Sequence, residues 1–592
     1  MPSICSVYQD AAEKLLSERC SDGFWEGELS ASALSTATSV SALSLVDRTE
    51  HENLIRGGIR WLAKHQNDDG GWGDTVRSIS NISTALLVRA AFHLSGKAES
   101  HQEILDKLEG YITRAGGLDA MVARYGKDKT FSVPIFTNCA LAGQAEWKDI
   151  TPLPFELSCL PHRWFHALNL PVVSYALPAL IAIGQARYFH QPPLNPFSRI
   201  IRKLAVGKSL RVLESIQPSS GGFLEAVPLT SFVTMCLASL RRGDHPVARK
   251  GVEFLKGVVR PDGSWPIDSN LSVWVTTLSI NALSAGGQEW FSNKEKEGLR
   301  TWLIEQQFRE RHPYTNAAPG GWGWTHLPGS VPDADDTPGT LLALKNLGVT
   351  DESSAAARLG IEWLLSLQNR DGGWPTFCRG WGHLPFDRSG TDLTAHVLRA
   401  FDAWRSILPD LSDRIVSASA SGLEYLERSQ IRTGYWLPLW FGNQFAPNDE
   451  NRTYGTARVL AAYRDLGRHD SHAAVNARQW LLKTQNDDGG WGGAEGTPSS
   501  IEETAQAVDS LFPLNTHSGA AVKNASRWLA DAIEDGRLDS PAPIGFYFAK
   551  LWYFEKLYPL IYAAAALGRV AEDEPDVLEA ASVSTNTVAS PL

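Results

Sequence analysis

The segment WLLSLQNRDGGWP, residues 363–375, decides the fold, because the chain repeats it: WLAKHQNDDGGWG covers 61–73 and WLLKTQNDDGGWG covers 480–492. Looser copies read YLERSQIRTGYW (425–436), FLKGVVRPDGSW (254–265), VLESIQPSSGGF (212–223) and LLSERCSDGFW (15–25). In the good copies Gln precedes Trp by six residues. Each copy reads as an apolar helix end, then Gln, then an Asp/Asn/Gly turn, then Trp. Gly allows positive φ in such a turn, and Asp and Asn bond nearby backbone groups. Alanine- or leucine-rich stretches such as IEETAQAVDSL (501–511) follow. Units of about 40–60 residues mean solenoids or closed helical arrays. A hairpin at NDDGG is the alternative, but the flanks do not alternate, and their Leu, Ala and Trp spacing suits helices. The expectation is an all-α chain. The copies also account for much of the unusual count of 21 Trp.

The bulk properties exclude several classes. At 592 residues, with 43% hydrophobic and 20% charged residues, the chain is globular and too long for one core. Its net charge of −11 and the lack of a basic stripe argue against nucleic acid. Six scattered cysteines without CxxC spacing suggest neither a zinc site nor a disulfide framework, so a reducing cytosol is expected. No signal peptide is read at the N-terminus, and no apolar run is long enough to span a bilayer.

One stretch is chemically odd. VPDADDTPGT (331–340) places Asp333, Asp335 and Asp336 within four positions, just before the apolar LLALKNLG. Pro338 suits a first helical turn and Thr337 an N-cap, so acids solvated at a helix start are the simple reading. Three carboxylates this close cannot all ionise, however, so one keeps its proton. A carbon–carbon double bond is a very poor base, and its protonation needs such a strong, dry, well-placed acid.

The repeats together with Asp-x-Asp-Asp-Thr resemble the squalene–hopene cyclase and oxidosqualene cyclase family over about residues 10–570. The resemblance implies two α/α barrels with an apolar cavity between them. One is carried by residues 1–25 and 275–570, with the acid segment, and the other by the inserted 26–274; the acidic, Ser/Thr-rich 571–592 reads as a disordered tail. It implies Asp335 as proton donor, with Asp333 and Asp336 as its partners. In DLTAHVL (392–398) it implies His396 as the donor's hydrogen-bond partner, raising its acidity when protonated, and in RTYGTARVL (452–460) it sets Tyr454 near the acid. Cation-stabilising aromatics carried over by motif are Trp274, Trp324, Phe377 and, more loosely, Trp440. In the C-terminal segment 543–569 they are Phe546, Tyr547 and Phe554, where one extra residue blurs the register. The Asp-Asp-Thr-Pro form of the acid segment is nearer the squalene type than the epoxide type.

The sequence also departs from the family. Thr36 and Thr38 stand where acids are usual, and Ala176 stands where an aromatic is usual, which puts a hopene product in doubt. The resemblance implies no cofactor and no metal. It implies a linear polyprene such as squalene as substrate, monotopic attachment on the cytoplasmic side of a membrane, and leaves a homodimer open. The stretch 186–216, with Phe189, Leu194 and Phe197 beside Arg199, Arg202, Lys203, Lys208 and Arg211, is the expected membrane contact. Three rivals share features of this pattern. They are a class II cyclase of a prenyl diphosphate, which needs a basic anion site, a zinc-dependent protein prenyltransferase subunit, and a non-catalytic binding toroid.

Overall fold

The computed structural model describes residues 3–126, 129–160, 176–313, 315–377, 385–513, 518–545 and 550–572. The described helices are α1 (Ile4–Ser17), α2 (Ala33–Asp47), α3 (Glu52–Lys64), α4 (Ile82–Leu94), α5 (Gln102–Ala115), α6 (Gly117–Tyr125), α7 (Ser132–Leu141), α8 (Leu177–His190), α9 (Pro196–Ile216), α10 (Val227–Ser239) and α11 (Pro246–Val258). They continue with α12 (Ser272–Leu283), α13 (Asn293–Glu305), α14 (Asp336–Asn346), α15 (Asp351–Leu367), α16 (Thr391–Arg405), α17 (Ser412–Ser429), α18 (Arg452–Asp465), α19 (His472–Lys483), α20 (Ile501–Ser510), α21 (Ser518–Glu534) and α22 (Tyr558–Glu572). Among the described residues the only ladder is an antiparallel pair of two-residue strands, β1 (Ala31–Ser32) and β2 (Trp265–Pro266). The hairpin alternative therefore fails where the structure is described.

The helices form two closed rings. In one, α12, α14, α16, α18, α20 and α22 pack in that order, and α22 returns to α12. Helices α13, α15, α17, α19, α21 and α1 lie outside them. In the other ring, α2, α4, α7, α8 and α10 pack in sequence and α10 returns to α2, with α3, α5, α9 and α11 outside. The second ring thus lies in sequence between outer helix α1 and its inner neighbour α12. Helix α12 begins at Ser272, a few residues ahead of the 274/275 border expected from sequence.

Each repeat builds the turn from an outer helix to the next inner one. The Gln side chain donates to the carbonyl four residues on and to a carbonyl of the following outer helix: Gln368 Nε2 meets Gly372 O at 2.8 Å and Ala418 O at 2.9 Å. The Trp indole donates back into its own outer helix, as Trp374 Nε1 does to Leu364 O at 2.8 Å. The Trp backbone N–H bonds a threonine of the next inner helix, as in Trp374 N to Thr394 Oγ1 at 3.1 Å. Gly372 sits at φ +91°, and a Cβ there would run into Ser421 O of the neighbouring helix, so the turn requires glycine.

The same bonds close both rings over long sequence gaps. Trp25 N donates to Thr276 Oγ1 on α12, and Trp265 N to Thr36 Oγ1 on α2, each at 3.0 Å. Thr36 is therefore part of the scaffold. One copy escapes the six-residue spacing. Gln307 and Trp322 are separated by a longer loop, yet Gln307 Nε2 still bonds Gly320 O at 2.7 Å and Ala356 O at 2.9 Å.

Gln307 is buried, so Gln307→Ala takes from the buried Gly320 O its donor and from Ala356 O a second donor beside its helical one. An unsatisfied buried group costs about 1–3 kcal/mol, which sets the size of the loss. Urea denaturation followed by circular dichroism should show a larger loss for this variant than for Gln430→Ala, whose amide bonds are half-buried.

Candidate active site

The acid segment sits where the Gln307–Trp322 turn enters α14. Asp333 N donates to Trp322 O and Ala334 N to Thr376 O, each at 2.9 Å, so the segment is clamped to two repeat turns. Asp333 Oδ1 accepts from Asp335 N and Asp336 N, both at 2.8 Å. That differs from the expected Thr337 cap. Asp333 satisfies the first amides of α14, while Thr337 lies within the first turn and takes up the Trp322 backbone N–H at 2.9 Å as its repeat partner. Asp335 occupies the N-cap position without using its side chain there, and its carboxyl is free to face the cavity.

Asp335 Oδ1 lies 2.7 Å from His396 Nδ1 and 4.0 Å from Arg458 Nη2. With the proton on Nδ1, the imidazole donates to Oδ1 and leaves Oδ2 to carry an acidic proton. Burial, reinforced by Arg458, pulls His396 down to about 4, so its ring is neutral at neutral pH. The charge expected on His396 resides instead on Arg458. Burial opposes that charge, but Tyr454, Asp335 and further acids outweigh it and raise the Arg458 pKa. Burial pushes Asp333 up to about 7. Burial, with the neighbouring charges of Asp333 and Asp335, pushes Asp336 well above its ordinary value. The pair titrates as a unit and holds a proton at neutrality.

The Asp335 carboxyl therefore stands beside a positive charge and a hydrogen-bond donor, the guanidinium and the N–H, with a proton-sharing carboxyl pair at Asp333 and Asp336 next to it.

The acid opens onto a cavity of about 640 Å³ between the rings. Trp274, Trp324, Phe377 and Trp440 line it, joined by Phe441 and Tyr553. Their orientations are fixed by hydrogen bonds. Trp274 Nε1 donates to Tyr558 Oη at 2.9 Å, and Trp440 Nε1 to Thr376 Oγ1 at 3.0 Å. Asp392, one turn before His396, accepts from Leu439 N at 3.0 Å and Trp440 N at 3.2 Å. Tyr454 stands behind the wall, edge-on to Phe441 at 4.7 Å between centroids. Ala176 and the Asp333–Asp336 carboxyls also reach the cavity.

Phe554 does not. Its backbone pairs with Ser30, through Ser30 N to Phe554 O at 2.8 Å, and its ring lies under the Arg77 guanidinium at 5.8 Å. Side chains alternate along an extended segment, so Tyr553 points to the cavity instead. Phe546, Tyr547 and most of the 160–184 segment lie outside the described residues.

Arg458 and Asp392 were not singled out in the sequence, although each was legible by helical spacing. Arg458 follows Tyr454, and His396 follows Asp392, by four residues, which puts each pair on one helix face. Among the described residues no cluster of three His, Cys, Asp or Glu could hold a metal ion.

Comparison with known proteins agrees with this chemistry. The family model for the squalene-hopene cyclase C-terminal domain matches residues 271–572, and that for the N-terminal domain matches 8–177. The chain is 26% identical to the enfumafungin synthase of Hormonema carpetanum over 92% of this chain but 46% of that protein, so it spans about half of that relative. It is 24% identical to the squalene–hopene cyclase of Bradyrhizobium diazoefficiens, covering 94% of this chain and 93% of that one. It is 25% identical to that of Alicyclobacillus acidocaldarius, covering 96% and 98%. Among solved structures, ent-copalyl diphosphate synthase from Streptomyces platensis shares the fold, with a TM-score of 0.55 at 18% identity over 96% of this chain and 100% of that one. Two helical rings around an aromatic cavity, with an Asp-x-Asp-Asp acid in its wall, define a class II terpene cyclase. Within that class, the chain belongs to the squalene–hopene cyclase family.

The raised pKa of Asp333 sets a pH dependence. Below about 7 it keeps its proton; above, the acid segment carries one more negative charge and has lost a shared proton. Turnover should fall as pH rises through about 7, read as an alkaline limb in kcat/KM. The sign for stability is the same. Between the unfolded and folded pKa values the folded state binds more protons, so this group's contribution is lost as pH rises.

Proposed function

We propose that this enzyme protonates a terminal double bond of a linear polyprene of the squalene type and guides the cation through polycyclisation to a hopene-like product. The supporting observation is the Asp335 carboxyl, 2.7 Å from His396 and backed by Arg458, in the wall of an aromatic-lined cavity. Each aromatic face in a dry site stabilises a cation by about 0.5–2 kcal/mol without offering a nucleophile. A prenyl diphosphate is the second reading, favoured by Lys129 and Arg388, which both reach the cavity surface and would meet an anionic group.

Incubation with squalene and, separately, with geranylgeranyl diphosphate should give a cyclised product from the first. A product from the diphosphate alone moves the assignment to the second reading. Asp335→Asn should lose at least about a thousandfold in turnover, within the range of general-acid effects, with an unchanged melting curve. Full turnover by that variant would remove Asp335 as the acid.

We infer monotopic attachment to the cytoplasmic face of a membrane, since a C30 hydrocarbon must be collected from a bilayer. No described helix is long and apolar enough to cross one. Supporting the inference, Phe189 and Leu194 are exposed beside an apolar stripe on α9 at Phe197, Ile200, Ile201 and Leu204, with Phe197 and Leu204 each 77% exposed. The stripe's i, i+3, i+4, i+7 spacing forms one face, and exposed apolar faces of this kind mark contact surfaces. Arg199, Lys203, Lys208 and Arg211 are exposed near it, whereas Arg202 turns inward to Glu156 at 3.3 Å. Helix α8 ends at this patch, and its Ala179, Leu180 and Ile183 line the cavity, which suggests a short route for substrate. Changing Phe189, Leu194 and Phe197 together to Ser should reduce sedimentation with anionic vesicles while the soluble fold persists. Unchanged sedimentation would put attachment elsewhere, and a loss of dimer in gel filtration would identify the face as a contact between copies.

A further inference from the structure

One buried carboxyl in the cavity has no part in the acid chemistry. Asp268 follows β2 on the segment leading to α12, and its backbone is locked beside Glu225. Val227 N bonds Ile267 O at 3.1 Å and Ser269 N bonds Glu225 O at 3.2 Å. Asp268 is only 7% exposed, lines the cavity, and its Oδ1 meets no hydrogen-bond donor.

Glu225 is its opposite. It is fully buried, but Ser220 Oγ and Gly329 N donate to Oε1 at 2.6 and 2.7 Å, and Ser269 Oγ to Oε2 at 3.2 Å. Leu224 and Glu225 also take left-handed φ values of 57° and 52°, a strained backbone for residues with a Cβ. That strain places the Leu224 side chain on the cavity wall and keeps Glu225 against Asp268.

A wall made only for hydrocarbon has no use for a buried carboxyl with an open acceptor, because an unmade buried hydrogen bond is destabilising. Burial first, and then the Glu225 charge, push the Asp268 pKa well above its ordinary value. The Trp324 indole N–H stands near and opposes this, but without hydrogen-bond geometry. Asp268 is thus a neutral carboxylic acid, able to donate and accept, and a poor nucleophile toward a cation. From Trp324 the aromatic wall runs through Phe377 to Trp440, each step 6.2 Å between centroids, and so to Asp392 on the helix that carries His396.

We propose that Asp268 recognises the substrate by hydrogen-bonding an oxygen-bearing group, such as a hydroxyl or carbonyl, carried on the polyprene away from the alkene that Asp335 protonates. The inference rests on the class II reading and deepens it: among linear polyprenes that fit the cavity, squalene included, one bearing an oxygen is held more tightly.

Binding separates the two ideas from turnover. In Asp335→Asn protein, which blocks the reaction, tryptophan quenching measures the affinity for geranylgeraniol and for the C20 hydrocarbon lacking its hydroxyl, both in detergent micelles. The expected preference for the alcohol is about three- to tenfold, the size of one hydrogen bond. Adding Asp268→Leu, or Asp268→Ala should the leucine variant not fold, should abolish that preference. Adding Asp268→Asn, which can still donate and accept, should keep most of it. Equal affinities in the Asp335→Asn parent, or a preference that survives Asp268→Leu and Asp268→Ala, would overturn the proposal. Failure of the cyclase reading shows separately, as an unmodified chain that consumes no polyprene, while the binding comparison still decides Asp268.

Discussion

A glutamine amide with two N–H bonds and two carbonyls to spend them on is the constraint from which the rest follows. In each of six turns, at Gln66, Gln217, Gln307, Gln368, Gln430 and Gln485, one carbonyl belongs to the turn and the other to the next outer helix. One side chain thereby ties the turn to the neighbouring outer helix, with both amide N–H groups donated to backbone carbonyls. In five of the six an indole bonds backward into its own outer helix, and at Phe223, Trp322, Trp374, Trp436 and Trp491 the backbone N–H bonds a threonine of the following inner helix. The rings are therefore held by a chain of short directional bonds as well as by apolar packing, and the inner helix ends cannot drift.

The acid exploits that rigidity. Thr337 belongs at once to the repeat, as the partner of Trp322, and to the acid motif, one residue after Asp336. The position of Asp335 is consequently set by the same bond that closes the turn. Asp333 does the capping that Asp335 would otherwise do, so the Asp335 carboxyl is left for His396 and Arg458. Placement then sets its surroundings: a permanent cation 4.0 Å away and a neutral imidazole at 2.7 Å both face the site where negative charge would develop.

The fold was legible because a repeat with fixed spacing says the same thing several times. The acid cluster was legible because three like charges in four positions need a reason. What escaped was whatever depended on contacts between distant segments. The Gln307 copy was hidden by a longer loop, although its bonds are those of the others. Arg458 looked like one arginine among many until α16 and α18 packed side by side in the ring. Phe554 was taken for a cavity residue because a motif match cannot resolve alternation, and the pairing with Ser30 turns Tyr553 inward. Asp268 carries no local signature at all, since only the enclosure supplied by both rings makes its carboxyl unusual.

That enclosure explains why the second ring interrupts the first. Trp25 and Thr276 are joined at 3.0 Å across an insertion of some 250 residues, so the first ring closes as though the second were absent. The cavity wall then draws on both: Leu34, Leu87 and Phe232 come from the inserted ring, and Trp274, Asp335 and Trp440 from the other. A carbocation survives only where water and nucleophiles are kept out and where charge is met by aromatic faces. A single ring offers its inner helix ends on one side only, and the reaction site would face solvent. Setting a second ring against that mouth supplies the opposite wall, so the acid, its aromatic path and the buried Asp268 share one volume.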